Sequence, residues 1–408
     1  MPVGTINIKD YNYQLPESRI AQFPLEKRDE SKLLIWKEGK ITESIFANIA
    51  DKLPSESILV FNDTKVIRAR LIFSKSTGAT IEVFCIEPLS PVVEIEAAFA
   101  QTNSCTWKCL VGNVKRWKEG ILEKNSVQNG ISYSLSAEKE ETLEDGCFAI
   151  RFSWTPSEIP FSEILDRAGL VPLPPYITRS PTSFDNDRYQ TIYAIHEGSV
   201  AAPTAGLHFT STTLENLKKK NIISENVTLH VGIGTFRPVS VEDVAMHIMH
   251  TEIISAGIST LKDLVNLQKP VIAVGTTSVR TLESLYWLGV KLIVDGDDFK
   301  PEILQWDAYN TRYNKNIPTG EALTALTHYL EKKGNDHFTC GTALMIVPGY
   351  KFRIVNGMIT NFHMPQSTLL LLVAALIGQD WKVAYEYAMQ HNFRFLSYGD
   401  ACLFFGRE

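Results

Sequence analysis

The chain has 408 residues, 44% hydrophobic and 21% charged, a balance that excludes a disordered or fibrous protein and leaves room for two or three globular domains. A net charge of −6 excludes a general coat protein for nucleic acid, so a polyanion would have to meet a local basic patch. Met1-Pro2-Val3-Gly4 lacks the basic start and apolar run of a secretory signal, and Leu369 to Ile377 is far shorter than the ~20 residues of a spanning helix.

A cytoplasmic protein with no membrane partner is therefore the expectation. Residues 1–72 open with a polar, proline-containing segment, and the run Ile58-Leu59-Val60-Phe61 then reads as a buried strand. It stops at Asn62-Asp63-Thr64, side chains that favour turns and caps because they bond nearby backbone. From 73 to 155 short alternating runs recur: Thr80 to Cys85, Val93-Glu94-Ile95, Ile131 to Leu135 and Phe148 to Phe152. Gly and Pro punctuate them as in an all-β module, and a closed module has no exposed edges. The predicted fold is an α/β main domain with a mixed sheet, built from 1–72 and 156–408, plus an inserted small antiparallel β-barrel domain at 73–155.

After 155 strands alternate with helices. Val227 to Val231 is a strand ending in Gly232-Ile233-Gly234-Thr235. Val271 to Val274 runs into Gly275-Thr276-Thr277-Ser278 and a helix through Arg280 and Glu283. Leu344 to Val347 reads as a strand that breaks at Pro348-Gly349, and Ile359-Thr360 leads through Asn361-Phe362-His363 into a helix from about Ser367.

Several of these junctions carry chemistry. Thr276, Thr277 and Ser278 at a helix start satisfy free N–H groups, and such groups attract an anion. Arg280 follows on the first turn, where the helix dipole disfavours a structural cation, so it reads as an anion clamp; a plain capped helix with a surface arginine fits the pattern equally well. Pro203 to Phe209 gathers Thr204, Gly206 and His208, offering close backbone approach, hydrogen bonds and a group that moves protons near neutrality; an ordinary loop with a satisfied histidine is the plainer reading. His230 stands beside Gly232-Ile233-Gly234, half of a dinucleotide fingerprint whose third glycine is replaced by Arg237. His247-x-x-His250-x-Glu252 misses the His-Glu-x-x-His pattern, so hydrogen-bonding or acid–base histidines are expected there and no metal. His363 could face a ligand or help cap the following helix. The cysteines, Cys85, Cys105, Cys109, Cys147, Cys340 and Cys402, have no Cys-x-x-Cys pair and read as buried or free thiols. Two charge runs, Lys115-Arg116-Trp117-Lys118 and Lys218-Lys219-Lys220, are the visible basic patches; solvated faces explain such runs more often than binding does.

Together these stretches resemble the S-adenosylmethionine:tRNA ribosyltransferase-isomerase family of queuosine biosynthesis. The resemblance runs in order through Ile20-Ala21-Gln22 to Arg28-Asp29-Glu30-Ser31, Phe61 to Arg70, Pro174 to Ile177, Arg188 to Ala194 and Ala201 to Phe209. It continues through His230 to Val239, His247 to Glu252, Val274 to Ser284, Pro348-Gly349-Tyr350, Ile359 to Leu372 and Ser397 to Ala401. Three places depart from the pattern. The barrel region matches loosely, with Gly112-Asn113 where a proline is usual; Asp295 to Cys340 is longer, with added Trp306 and Tyr309; and Lys32 replaces a common arginine.

The resemblance implies transfer and isomerisation of the ribosyl part of S-adenosylmethionine onto 7-aminomethyl-7-deazaguanine at the tRNA wobble position, giving epoxyqueuosine with release of adenine and methionine. It implies S-adenosylmethionine as co-substrate with no true cofactor, and tRNA, through its anticodon loop, as partner; a monomer is the expected state. The sulfonium acidifies the C5′ protons, so one placed base can start the reaction. On that resemblance His208 and His230 are the acid–base candidates, with Asp63 as alternative base or orienting carboxylate, and His208→Ala should cut turnover far more than donor binding. Arg280 and the Gly275–Ser278 helix start would hold the methionine carboxylate or a tRNA phosphate, and Thr204, Asn361 and His363 the sugar or purine. Asn62, Thr64, Arg68, Gly206, Gly234, Thr235, Thr276 and Thr277 complete the expected substrate-binding set. Two rivals stand beside this: a paralogue acting on another nucleoside or small molecule, marked by activity without tRNA, and a non-catalytic RNA-binding protein, marked by RNA binding indifferent to the donor. A methyltransferase is disfavoured, because the glycine-rich donor loop of the usual Rossmann type is missing.

Overall fold

The structure is a computed structural model and describes residues 4–128, 131–143, 146–232, 239, 241–265 and 269–407. Its centre is a ten-stranded mixed sheet. In spatial order the strands are Glu302–Ile303, His337–Thr342, Glu252–Gly257, Ile223–Leu229, Ile58–Asn62, Val271–Val274, Gly357–Asn361, Ala401–Phe405, Lys32–Lys37 and Lys40–Ile45. The four in the middle, from Ile223 to Asn361, run parallel to one another. Three of these, Ile58–Asn62, Val271–Val274 and Gly357–Asn361, are buried at every position, which is why Ile58 to Phe61 and Val271 to Val274 read as unbroken apolar runs rather than alternating ones.

Period two still sorts their side chains. Ile58, Val60, Val271 and Ala273 point into one core with the helices Gly275–Asp295 and Thr368–Ile377, while Leu59, Phe61, Ile272 and Val274 point into another with Phe209 and Leu217. Helix Thr319–Lys333 packs outside Gly275–Asp295, so the latter is sandwiched and nearly buried.

The second sheet has seven strands, neighbours antiparallel throughout, and its own core around Phe73, Trp107, Ile150, Phe152 and Phe161. It begins at Arg70 and takes an edge strand from Gly169–Leu170, so it reaches past residues 73–155 on both sides. Leu71 and Phe73 alternate into this core, a pattern hidden in the sequence by the charged Arg68 and Arg70 around it. Among the described residues no ladder joins its two end strands. Thr64–Val66 pairs in parallel with His196–Ser199 and makes a small ribbon between the sheets.

Two expected strands are absent. Val93-Glu94-Ile95 leads into the short helix Ile95–Phe99, with Val93 left open to solvent. Leu344 to Val347 is buried but carries no ladder: the Met345 N–H goes to the Gln305 carbonyl, the Val347 N–H to the Tyr309 hydroxyl, and the Leu344 carbonyl to Arg280. Those partners satisfy the backbone that a strand would otherwise pair. All six cysteines are buried and free. No single helix among the described residues is long and apolar enough to cross a membrane.

Candidate active site

Because four neighbouring strands are parallel, their carboxyl ends meet on one edge. That edge carries Asn62-Asp63-Thr64, His230-Val231-Gly232, Gly275-Thr276-Thr277 and Asn361-Phe362-His363. Open α/β sheets bind ligands in this place. Each strand ends in a residue that turns the chain sharply; Gly275 does so at φ +89°, in the left-handed region where a side chain would be strained.

A cavity of about 330 Å³ lies there. Thr204, Thr276, Thr277, Asn361 and His363 supply its polar wall, and Tyr176, Tyr189, Val231 and Leu369 much of the rest. Its described lining residues include no carboxylate, lysine or arginine, and His363 is the imidazole among them. His363 is 9% exposed. Burial pulls its ring down to about 3, and Nε2 lies 2.8 Å from the Thr360 hydroxyl, which fixes the ring.

Thr276 and Thr277 contribute differently from a cap. The helix Gly275–Asp295 has no side-chain cap; instead the Ser278 hydroxyl donates to the Val274 carbonyl at 2.8 Å and Thr281 to the Thr277 carbonyl at 3.0 Å. The first-turn N–H groups are thus left for a ligand in the adjoining cavity. The Thr277 hydroxyl is buried and has no partner among the described residues.

His208 sits behind this wall. The Asn361 amide donates to its Nε2 at 3.1 Å, and Nδ1 lies 2.8 Å from Ser31 Oγ. Thr204 then donates to Asn361 Oδ1 at 2.9 Å. Burial, then the nearby Arg394 charge, lowers His208 to about 3, so the ring is neutral with its proton on Nδ1. Both nitrogens are occupied within the protein. His208 therefore orients Asn361 and has no lone pair facing the cavity.

His230 and Asp63 open on a neighbouring cleft of about 600 Å³ that also takes in His196. His230 Nδ1 is 2.9 Å from the Thr64 hydroxyl, and burial with the nearby His196 charge lowers the ring to about 4. Asp63 accepts from the Thr228 hydroxyl at 2.7 Å and stands 3.9 Å from His196, while burial raises its carboxyl. The two expected histidines thus face different spaces, separated by the chain at Val231.

The remaining expected residues divide as follows. Asn62 clamps backbone: its amide donates to the Leu229 carbonyl at 3.0 Å, and its oxygen accepts from Leu229 and Thr64 N–H at 3.0 and 3.2 Å. Gly206 serves packing, since a Cβ there would stand 1.9 Å from the Tyr193 hydroxyl. Arg68 lies away from both spaces; its guanidinium donates to the Asp166 carbonyl. Gly234 and Thr235 lie outside the described residues.

Arg280 corrects the helix-dipole argument. It is buried and ion-paired with Glu252, whose carboxyl accepts also from the Gly232 N–H at 3.1 Å. Glu252 stays ionised, pulled down to about 2 against its burial by Arg280 and His250. A carboxylate from another strand of the sheet outweighs the dipole, so the arginine is held inside the fold by an ion pair. One of its nitrogens, Nη2, has no partner among the described residues, and the small space before it shares Thr276, Thr277 and Leu369 with the main cavity.

Sequence reasoning missed His196, Ser31, Tyr176, Tyr189 and Ser397. Ser31, Tyr176, Tyr189 and Ser397 fall in the stretches that carried the resemblance, but nothing local marks them; His196 follows an exposed Ile195 and gives no periodic signal.

A mixed α/β sheet with an apolar cavity at its parallel carboxyl ends, walled by hydroxyl, amide and imidazole groups under a helix N-terminus, defines an enzyme site for a small organic ligand. The chain belongs to the queuosine biosynthesis protein family, whose sequence profile matches residues 8–404. It is 36% identical to the S-adenosylmethionine:tRNA ribosyltransferase-isomerase of Trichlorobacter lovleyi over 97% of this chain and 99% of that one. With the protein of the same name from Finegoldia magna it shares 39% identity, covering 97% of each. A crystal structure of S-adenosylmethionine tRNA ribosyltransferase from Thermotoga maritima aligns over 97% of this chain and 99% of its own, at 28% identity and a TM-score of 0.46.

Proposed function

We infer that this protein transfers and isomerises the ribosyl part of S-adenosylmethionine onto tRNA, at a 7-aminomethyl-7-deazaguanine in the anticodon loop. The observation that carries the reading of the site is the placing of His363, an imidazole kept neutral by burial, in the apolar cavity at the strand ends. The donor is the co-substrate and brings its own electrophilic sulfonium, so the reading needs no separate cofactor.

In this reading the nucleoside part of the donor fills the 330 Å³ cavity against Tyr176 and Tyr189. The Thr204–Asn361 pair, held by His208, meets the sugar hydroxyls. The methionine carboxylate lies on the first-turn N–H groups at Thr276 and Thr277 and reaches Arg280 Nη2. Glu252 already balances the Arg280 charge, so Nη2 meets the carboxylate as a hydrogen-bond donor, and the balancing positive charge comes from the donor's own ammonium and sulfonium. His363 takes the C5′ proton that the sulfonium acidifies; its neutral ring has a lone pair for that proton, and because burial makes it a weak base the sulfonium supplies most of the driving force. The seven-stranded sheet, which we read as an inserted domain, brings Glu94 and Ile95 to the 600 Å³ cleft, where Asp63, His196 and His230 would handle the acceptor base. A tRNA substrate fits a cytoplasmic location.

The test is a mass-spectrometric assay with S-adenosylmethionine and tRNA carrying 7-aminomethyl-7-deazaguanine. Epoxyqueuosine with stoichiometric adenine is the expected result. Folded, donor-binding protein that yields neither sinks the reading, and His363→Ala with normal turnover removes His363 from it.

A further inference from the structure

The basic groups that could meet a polyanion are not the two runs visible in the sequence. Lys220 is paired with Asp51 at 2.8 Å, and Lys115 and Arg116 form a turn on the seven-stranded sheet, away from the parallel strand ends. Arginines far apart in the chain converge instead on the loop from Gln22 to Arg28. Arg28 donates to the carbonyls of Asp187 and Gln190, both at 2.6 Å, and Arg188 donates to those of Glu26, at 2.8 Å, and Leu25. Arg179 and Arg394 bond the carbonyls of Gln22 and Phe23, at 2.8 and 3.3 Å.

Carboxylates do not neutralise all four. Arg179 has Asp185 at 2.6 Å and Arg394 has Asp400 at 3.7 Å, but among the described residues Arg28 and Arg188 have no carboxylate within ion-pairing distance. Arg188 Nε is buried without a partner. Glu26, Asp29 and Asp187 lie on the same elements, so the face is one of forked donors rather than a broad positive field, as a chain of net charge −6 requires.

Two phenyl rings stand open on the same face: Phe23 is 59% exposed and Phe184 52%. Each carries a guanidinium, Arg179 at 4.2 Å from the Phe23 centroid and Arg188 at 5.1 Å from that of Phe184. An isolated exposed phenylalanine needs no explanation, but an open ring backed by an arginine is a platform for an unstacked nucleobase. The face is continuous with the main cavity. Ser397 lines both that cavity and the crevice between Arg28, Arg188 and Arg394, and the Gln22 amide donates at 3.0 Å to the carbonyl of Tyr176, in the cavity wall.

We propose that this face, formed by Phe23, Arg28, Phe184 and Arg188, docks the single-stranded loop of the RNA substrate, with backbone phosphates on the two unpaired arginines and bases flanking the modified position on the two rings. The proposal rests on the tRNA reading above.

Fluorescence anisotropy with a labelled RNA hairpin of anticodon-arm sequence tests it, beside calorimetry with S-adenosylmethionine and thermal melting. Phe23→Ala/Phe184→Ala should weaken RNA binding at least about tenfold, leaving donor affinity and melting unchanged, because both rings are at the surface. Arg188→Gln should lower the slope of log affinity against log salt by about 1. If the double phenylalanine variant binds the hairpin as the wild type does, the surface is overturned while the tRNA reading stands. If the wild type binds neither hairpin nor whole tRNA, the functional reading falls and takes the surface with it.

Discussion

His208→Ala separates a positioning role from a proton-transfer role. The ring is 5% exposed and bridges Ser31, itself 1% exposed, to Asn361 at 2%. Removing it strands one hydroxyl and one amide group, each costing about 1–3 kcal/mol when buried without a partner. Some relaxation and water entry would offset part of this, so a net loss of about 3 kcal/mol is expected from urea unfolding. The Asn361 amide loses the contact that orients it, and Thr204 with it. Donor affinity should therefore fall about tenfold, near the ~1.4 kcal/mol of one misdirected hydrogen bond. Turnover of the donor-saturated enzyme, measured as adenine release at a temperature where the variant is folded, should fall less than tenfold. A loss of ~100-fold or more in kcat with donor affinity intact would refute the argument, because that is the signature of a lost acid or base.

The same ring gives a pH prediction: His208 is held at about 3 when folded, against about 6.5 in the unfolded chain, so below pH 6.5 the unfolded state binds the extra proton. The stability it lends is full above pH 6.5 and is lost as pH falls toward 3, and His208→Asn should flatten the unfolding free energy by about 1.4 kcal/mol per pH unit between pH ~4 and ~6 relative to wild type. Equal slopes would count against a neutral buried ring. Glu252→Gln leaves Arg280 charged and buried and should cost about 3–5 kcal/mol in denaturant unfolding, whereas Glu252→Gln with Arg280→Met should cost less than the single change. Gly206→Ala puts a methyl 1.9 Å from the Tyr193 hydroxyl and should destabilise by about 1–3 kcal/mol; adding Tyr193→Phe, which removes a buried hydroxyl with no partner, should recover much of that in a melting assay.

What could be read from the sequence follows from how local each signal is. Val271 to Val274 is an unbroken apolar run closed by a glycine, and that alone marks a buried strand entering a turn. Ser367 before Thr368 to Ile377 announces a helix start, and its hydroxyl accepts from the Leu370 N–H. Leu344 to Val347 has the same apolar composition as a central strand, but its backbone partners are Gln305, Tyr309 and Arg280, which no window of sequence contains. Arg280 shows the limit of a sound local rule. The dipole disfavours a cation on the first turn, yet Glu252, from a strand that is not the helix's neighbour in the chain, reverses the balance at short range.

The site itself was legible as a set of junctions and not as an arrangement. Asn62, His230, Gly275 and Asn361 each look like the end of a strand, but only the parallel order of the four strands puts those ends on one edge. The same order divides the histidines. His363, at the end of Gly357–Asn361, faces the cavity; His230, with two strands between, faces the neighbouring cleft; His208 comes from a loop and meets Asn361 from behind. Three rings that are alike in sequence thus have three tasks, decided by what occupies their nitrogens.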